Sequence, residues 1–360
     1  MVGMGIVEAI GKLVNFQDLT VDEAESAMDE IMAGTATEAQ TAAFLTALRM
    51  KGEKPVEVAS LARAMRRRCR RINGIDLNHG GRRLLDTCGT GGDRVKTFNF
   101  STLAAIVAAG AGVPVAKHGN RSMTGPCGSA DLMEALGLNL DSPPSMVEET
   151  LREEGLTFLY APIFHPAMGH ASKPRREIGF RTVFNLLGPL TNPAGAEAQL
   201  LGVYDGGLTE FMAETLSRLG VDQAAVVHGL DGLDEFSLVG PTKVTWLRDG
   251  VLSTEILKPS SLGLPKARVE ELASSTPQGN ALTAVRLLTG RWRREEKAKR
   301  DGVIANAALA ILLGGGVEDL REGVEEAERS MESGAAYGKL KALIKRLGDP
   351  GRLEELEDCA

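Results

Sequence analysis

The run Asp86-Thr87-Cys88-Gly89-Thr90-Gly91-Gly92-Asp93 follows a segment that reads as a β-strand and places glycine at 89, 91 and 92. Backbone without side chains turns sharply and can offer its N–H groups to an anion. A dinucleotide fingerprint would need glycine at position 94, where Arg94 stands, and the Gly-Lys-Ser/Thr of a P-loop is missing. Taken alone, such a turn is equally explained as a tight corner. Thr97-Phe98-Asn99-Phe100-Ser101-Thr102 comes next, with four polar side chains just ahead of an apolar helix from Leu103. An N-cap accounts for one hydroxyl. A helix N-terminus with further hydroxyls is a natural phosphate site, because its unpaired N–H groups and dipole favour negative charge.

A third polar loop runs from Lys117-His118-Gly119-Asn120-Arg121-Ser122 through Met123, Thr124 and Gly125 to Ser129, with two cations and a histidine. Its bland reading is a solvated loop whose Ser129 caps the next helix. Three such loops at successive strand ends converge on one crevice in an open α/β sheet, which suggests a polyphosphate pocket. Asp231-Gly232-Leu233-Asp234-Glu235 supplies the opposite charge. An acidic turn is common on any surface, but magnesium takes one or two carboxylates together with substrate phosphates, so the pocket and the acidic pair make sense as one site.

The elements that must position these loops are of two kinds. The first seventy residues read as helices. Thr20 with Glu23 and Thr37 with Gln40 are capping boxes, Pro55 suits the start of a third helix, and apolar residues follow each at helical spacing. From about Arg83, short apolar runs at 83–85, 113–116, 199–203 and 224–227 alternate with helical stretches at 103–111 and 130–136, as in a mostly parallel sheet. Asp249-Gly250 between 244–247 and 251–256 signals a hairpin, and 306–313 and 317–333 read as packing helices. The fold class expected is α/β: a small all-helical N-terminal lobe, residues 1–74, and a larger α/β lobe, residues 75–360, with a mostly parallel central sheet.

Composition narrows the functions. The 360 residues carry a net charge of −7, against a nucleic-acid platform, which is normally basic. The arginine run at 66–71 reads as a solvated helix end. Cys69, Cys88, Cys127 and Cys359 form no CxxC pair and read as reduced thiols. No apolar run reaches membrane-spanning length and no convincing signal peptide is seen, so a cytoplasmic protein is expected.

The motif series Gly89-Thr90-Gly91-Gly92-Asp93, Asn99-Phe100-Ser101-Thr102, Lys117-His118-Gly119-Asn120-Arg121-Ser122 and Gly128-Ser129-Ala130-Asp131 resembles that of the anthranilate phosphoribosyltransferase family of tryptophan biosynthesis. The likeness continues through Phe164-His165-Pro166-Ala167-Met168, the stretch 181–193, His228-Gly229-Leu230-Asp231-Gly232-Leu233-Asp234-Glu235 and Asn306-Ala307-Ala308, in the family's order along nearly the whole chain. The resemblance implies a magnesium-dependent transferase, commonly a homodimer, whose helical lobe is completed by helices near 168–190. It assigns phosphoribosyl pyrophosphate to Gly89, Gly92, Asp93, Thr97, Asn99, Phe100, Ser101, Thr102, the loop 117–125 and Ser129. It assigns anthranilate to Gly89, Asn120 and Arg175, and Mg2+ to Ser101, Asp234 and Glu235. No general base is implied; His118 is a candidate only. This chain departs from the pattern at Arg94-Val95-Lys96, where the family has glycine after the aspartate, and at Thr124-Gly125-Pro126-Cys127, where it has Ser-Ser-Lys-Ser; Lys96 or Arg94 is a candidate to restore the lost charge. The alternatives are a transferase with another aromatic acceptor, a pyrimidine nucleoside phosphorylase, and a non-catalytic nucleic-acid-binding paralogue.

Overall fold

The computed structural model describes residues 5–72, 81–92, 96–122 and 125–360. The expected lobe boundary at residues 74 and 75 lies outside these residues, as do Asp93, Met123 and Thr124.

Helices Ile6–Val14, Val21–Ala33, Glu38–Lys51 and Pro55–Arg68 form the N-terminal part. Both expected capping boxes are present: Thr20 accepts from Glu23 N–H and Thr37 from Gln40 N–H, while Glu23 and Gln40 reach back to the cap backbone. Each box satisfies two N–H groups that a helix start otherwise leaves open. Ala171, Val183, Phe184 and Leu187, from much further along the chain, complete the apolar core of this bundle. The same core continues to Leu201, Met212 and Val226, so the bundle packs directly on one side of the sheet region.

The sheet consists of β1 (Leu85–Gly89), β2 (Val115–Gly119), β3 (Leu156–Tyr160), β4 (Ala198–Gly202), β5 (Gln223–Gly229), β6 (Thr242–Arg248) and β7 (Val251–Leu257). Their spatial order is β3-β2-β1-β4-β5-β6-β7. The first five are parallel, and β6 and β7 add antiparallel strands at one edge. Asp249 and Gly250 both adopt positive φ in the β6–β7 turn, as a tight two-residue hairpin demands. The mostly parallel sheet is as expected, but β1 lies two to four residues further on than the 83–85 run suggested. β3, an apolar five-residue run after Gly155, went unread, as did the helices Pro277–Leu288, Ala335–Leu347 and Pro350–Cys359. Among the described residues no helix is long and apolar enough to cross a membrane.

One buried ion pair locks the helical part. The carboxylate of Glu57, whose side chain is 0% exposed, accepts from Leu19 N–H, Lys54 N–H and the ammonium of Lys51, itself 3% exposed. Removing one member strands the other in a poorly solvated place. Glu57→Ala is therefore expected to lower unfolding stability by about 3 kcal/mol, since Asp18 still partners Lys51. Urea denaturation measures this, and a loss below about 1 kcal/mol, the level of an exposed pair, would refute the locking role.

Candidate active site

Strand order reverses direction between β1 and β4, and in open α/β sheets the crevice beyond the strand C-termini at such a switch is where ligands bind. A cleft of about 720 Å3 lies there. Gly89 and Gly202, the last residues of β1 and β4, are register partners. The acidic loop rests on both: a Cβ at Gly202 would come within 1.6 Å of the Asp234 carbonyl oxygen, and one at Gly89 within 2.8 Å of Asp234 Oδ2. Asp234 Oδ2 also accepts from Gly91 N–H at 3.0 Å, so the glycine loop presents one backbone donor to a carboxylate at the crevice. The loop's far side is pinned by Asn306, a buried residue that accepts from Phe236 N–H and donates to Phe236 O. Asp231 faces its own turn, accepting from Ser237 Oγ and Leu233 N–H.

The second loop leads into the helix Phe100–Gly110, whose cap position is Asn99 rather than Ser101 or Thr102. Asn99 makes no capping bond. Its amide donates to Cys127 O and accepts from Asn280 instead. The open helix start takes Glu235: Ser101 N–H donates to Glu235 Oε1 at 3.2 Å. A carboxylate at this position also suits the helix dipole. Thr102 Oγ1 is buried, lines the cleft and has no hydrogen-bond partner among the described residues. Buried hydroxyls rarely stay unpaired without a reason, and a ligand oxygen is one such reason.

At the third loop, β1 and β2 pair directly only at Leu85 and Val115. Beyond that point side chains replace the ladder. Asp86 Oδ1 accepts from His118 N–H, Gln199 donates to Asp86 Oδ2, and the buried Lys117 ammonium donates to Thr87 O. Burial raises the Asp86 pKa and lowers that of Lys117, and each is partly restored by the other's charge. His118 packs 5.1 Å from His165 between ring centres. Burial first, then His165 and Lys117, hold its pKa down to about 3, so the ring is neutral at pH 7. Arg121 is turned to Asp131 and Glu134, while Asp131 collects the N–H groups of Ser122 and Gly128. Ser129 does not cap its helix, for Gly128 holds that position. Its hydroxyl bridges the Asn120 backbone, accepting from N–H and donating to the carbonyl.

Gly89, Gly92, Thr97, Asn99, Ser101, Thr102, the described residues of 117–125, Ser129, Arg175, Asp234 and Glu235 all line this one cleft. Phe100 does not. Its ring is buried against Gly302 of the helix Lys297–Leu313, because the first helical residue points its side chain at the core. Arg175 reaches the cleft from the helix Gly169–Ile178, with its guanidinium 4.8 Å from the Phe184 ring centre. Residue reasoning missed Arg181 and Asn185. Arg181 stacks 4.0 Å over the Tyr204 ring and donates to Gly92 O, where positive φ and the lack of a Cβ let it approach. Both lie in the 181–193 motif stretch, the one signal that pointed to them. Lys96 also lines the cleft, its stem close to Gly125.

Residues 7–69 match the helical bundle domain of a glycosyl transferase family, and residues 81–337 match that family's α/β domain. The anthranilate phosphoribosyltransferase of Moorella thermoacetica is 53% identical over 335 residues, which cover 93% of this chain and 96% of the relative. The crystal structure of the Thermus thermophilus enzyme superposes with a TM-score of 0.87 at 43% identity, covering 94% of this chain and 99% of that one. The Saccharomyces cerevisiae enzyme, solved in complex with PRPP (phosphoribosyl pyrophosphate) and Mg, superposes with a TM-score of 0.86 at 31% identity, covering 95% and 97% of the two chains. The same yeast enzyme has been solved with 4-fluoroanthranilate. Identity of this order along both domains, on one shared fold, places the chain in the anthranilate phosphoribosyltransferase family.

Proposed function

We propose that this cleft transfers the phosphoribosyl group of phosphoribosyl pyrophosphate to the amine of anthranilate, releasing pyrophosphate. The observation that carries the reading is the seating of Asp234 and Glu235 on Gly91 N–H and Ser101 N–H. It brings the glycine loop, the helix start and the acidic pair to one point at the strand ends. In the reaction a bond forms between the amine nitrogen and the anomeric carbon, the bond to the pyrophosphate oxygen breaks with its electron pair, and the amine proton leaves to solvent. An aromatic amine is neutral at pH 7 and its lone pair is ready, so the chain need not supply a strong base. His118, with a pKa near 3, fits an ordering role better than a proton-accepting one.

The remaining work is placement and charge. Gly89, Gly92, Thr97, Asn99, Ser101, Thr102, Lys117, Asn120 and Ser122 are the donor-binding set; Asp93, Met123 and Thr124 belong to it by the resemblance alone. Lys96 brings an ammonium-bearing side chain to the wall where Pro126 stands in place of the family's lysine. Arg175, half-buried against Phe184, takes the anthranilate carboxylate, with Gly89 and Asn120 beside it. Ser101, Asp234 and Glu235 fit Mg2+ by donor chemistry, being hard oxygen ligands with two carboxylates in sequence. When bound, that ion offsets the charge that builds on the leaving pyrophosphate. Closure of the helical lobe (1–74 with 168–190) on the α/β lobe (75–360) would exclude water from the donor. Tryptophan biosynthesis in the cytoplasm is the setting this reading gives.

The test is anthranilate fluorescence followed with the purified chain, phosphoribosyl pyrophosphate and magnesium. Donor-dependent loss of signal is expected; donor hydrolysis with anthranilate untouched would overturn the acceptor. In the same assay Asp234→Asn with Glu235→Gln should lower metal-dependent turnover at least 100-fold, about 2.7 kcal/mol of transition-state stabilisation, with a native circular dichroism spectrum. Turnover within threefold of the parent would remove the metal assignment. The family's usual homodimer is the expected assembly, supported by the exposed Val7, Val14 and Phe16 on and after the first helix. Light scattering should give the mass of two chains, and a monomer at micromolar concentration would exclude it.

A further inference from the structure

Residues 272–280 lie outside every motif that carried the family resemblance, yet they clamp the donor loop. Phe98 N–H donates to Leu272 O, Ser274 N–H donates to Lys96 O, and Thr97 and Ala273 form an isolated antiparallel bridge. The clamp ends at Asn280, which is 1% exposed and sits in the first turn of the helix Pro277–Leu288. Its Oδ1 accepts from Ser275 N–H at 2.9 Å, a backbone donor that fixes which way the amide faces. Its Nδ2 therefore points at Ser274 Oγ and at Asn99 Oδ1, 2.9 and 3.1 Å away. Asn99 is fixed in turn, because its Nδ2 donates to Cys127 O at 3.1 Å. The result is a one-way relay of amides from the clamp through the second loop to the third. No member can flip without leaving a backbone group unpaired.

We infer that Asn280 is a positioning residue for phosphoribosyl pyrophosphate: by holding the Asn99 amide between the clamp and Cys127 O, it sets the spacing of the two loops that grip the donor. Asn280 is not among the residues lining the cleft, so it reaches the site through Asn99 and the Cys127 side chain, which do line it. Satisfied buried amide pairs of this kind hold a geometry because the cost of leaving one partner unpaired exceeds what a loop loses by being ordered. The inference rests on the donor-binding reading given above.

The experiment measures donor affinity by titration calorimetry with magnesium present, for the parent chain, Asn280→Ala, Asn99→Ala and the double variant. Asn280→Ser serves if the alanine variant fails to fold. Asn280→Ala is expected to weaken donor binding about tenfold, and the double variant should bind no worse than Asn99→Ala. Ala284→Gly, a buried change on the same helix that leaves the relay intact, should keep the parent's donor affinity despite lower thermal stability. Anthranilate KM in steady state should stay within twofold for Asn280→Ala. Additive losses in the double variant, an unchanged donor affinity in Asn280→Ala or Asn280→Ser, or equal losses in Ala284→Gly would each overturn the inference. A parent chain that binds no donor at all would instead overturn the functional reading, and the inference with it.

Discussion

Asp234 can sit at the crevice only because two neighbouring strands end without side chains. Gly202 carries the Asp234 carbonyl so closely that an alanine there would place its Cβ 1.6 Å from that oxygen, and Gly89 leaves room for the carboxylate. The two glycines are in register across β1 and β4, at the place where the sheet's order reverses. The acidic part of the cleft follows from this close approach. It brings an acidic loop from beyond β5 within reach of the N–H groups of the glycine loop and of the helix start. A chain with side chains at both strand ends could keep the same fold and lose the site.

Holding two adjacent carboxylates in one cleft is an electrostatic problem that the surrounding structure answers in part. Glu235 lies at a helix N-terminus, where the dipole and Ser101 N–H offset its charge. Beneath it the ammonium of Lys117 is buried among Thr87, Asp86 and Cys88, and Glu235 is one of the charges it senses. Asp86 therefore does two jobs: it balances Lys117, and it takes the His118 N–H that β1 and β2 no longer satisfy between themselves. The splayed strands give side chains access to a region that an ordinary parallel ladder would seal. The price is a set of buried polar groups, of which Thr102 Oγ1 and His118 Nε2 have no partner among the described residues.

Much of this was legible in the sequence because it is local. Capping boxes at Thr20 and Thr37, the Asp249-Gly250 turn and the glycine loop after β1 each declare themselves within a few residues. The convergence of three loops was legible too, since strand ends on one side of a parallel sheet must share a crevice. What sequence patterns alone could not show is tertiary. Arg175 belongs to no motif legible from its own neighbours, and only the fold sets its guanidinium over the Phe184 ring. Phe100 sits amid polar neighbours yet faces the core, because helical phase and not sequence company decides its direction. Asn280 and Asn306 are single buried asparagines on helices far along the chain, with partners 181 and 70 residues away. β3 failed for a different reason: a five-residue apolar run carries too little periodicity to separate strand from buried helix.

The same geometry ties the Arg175 wall of the cleft to the glycine loop. Arg175 and Arg181 belong to the segment whose Ala171, Val183 and Phe184 are packed into the helical core. Arg181, however, reaches out of that segment to Gly92 O and stacks on Tyr204, just beyond the end of β4. Arg175 and Arg181 thus share one segment of the bundle core, and Arg181 also holds the glycine loop. Further along, the segment is fastened to the sheet by Asn192, which donates to Ala116 O, and by Pro189 O, which accepts from Gln199. The fastening to the sheet thus begins at Pro189, and ahead of it Arg175 and Arg181 lie six residues apart. On the reading proposed above, the arginine assigned to the acceptor and the arginine that holds the glycine loop are joined by one short stretch of chain.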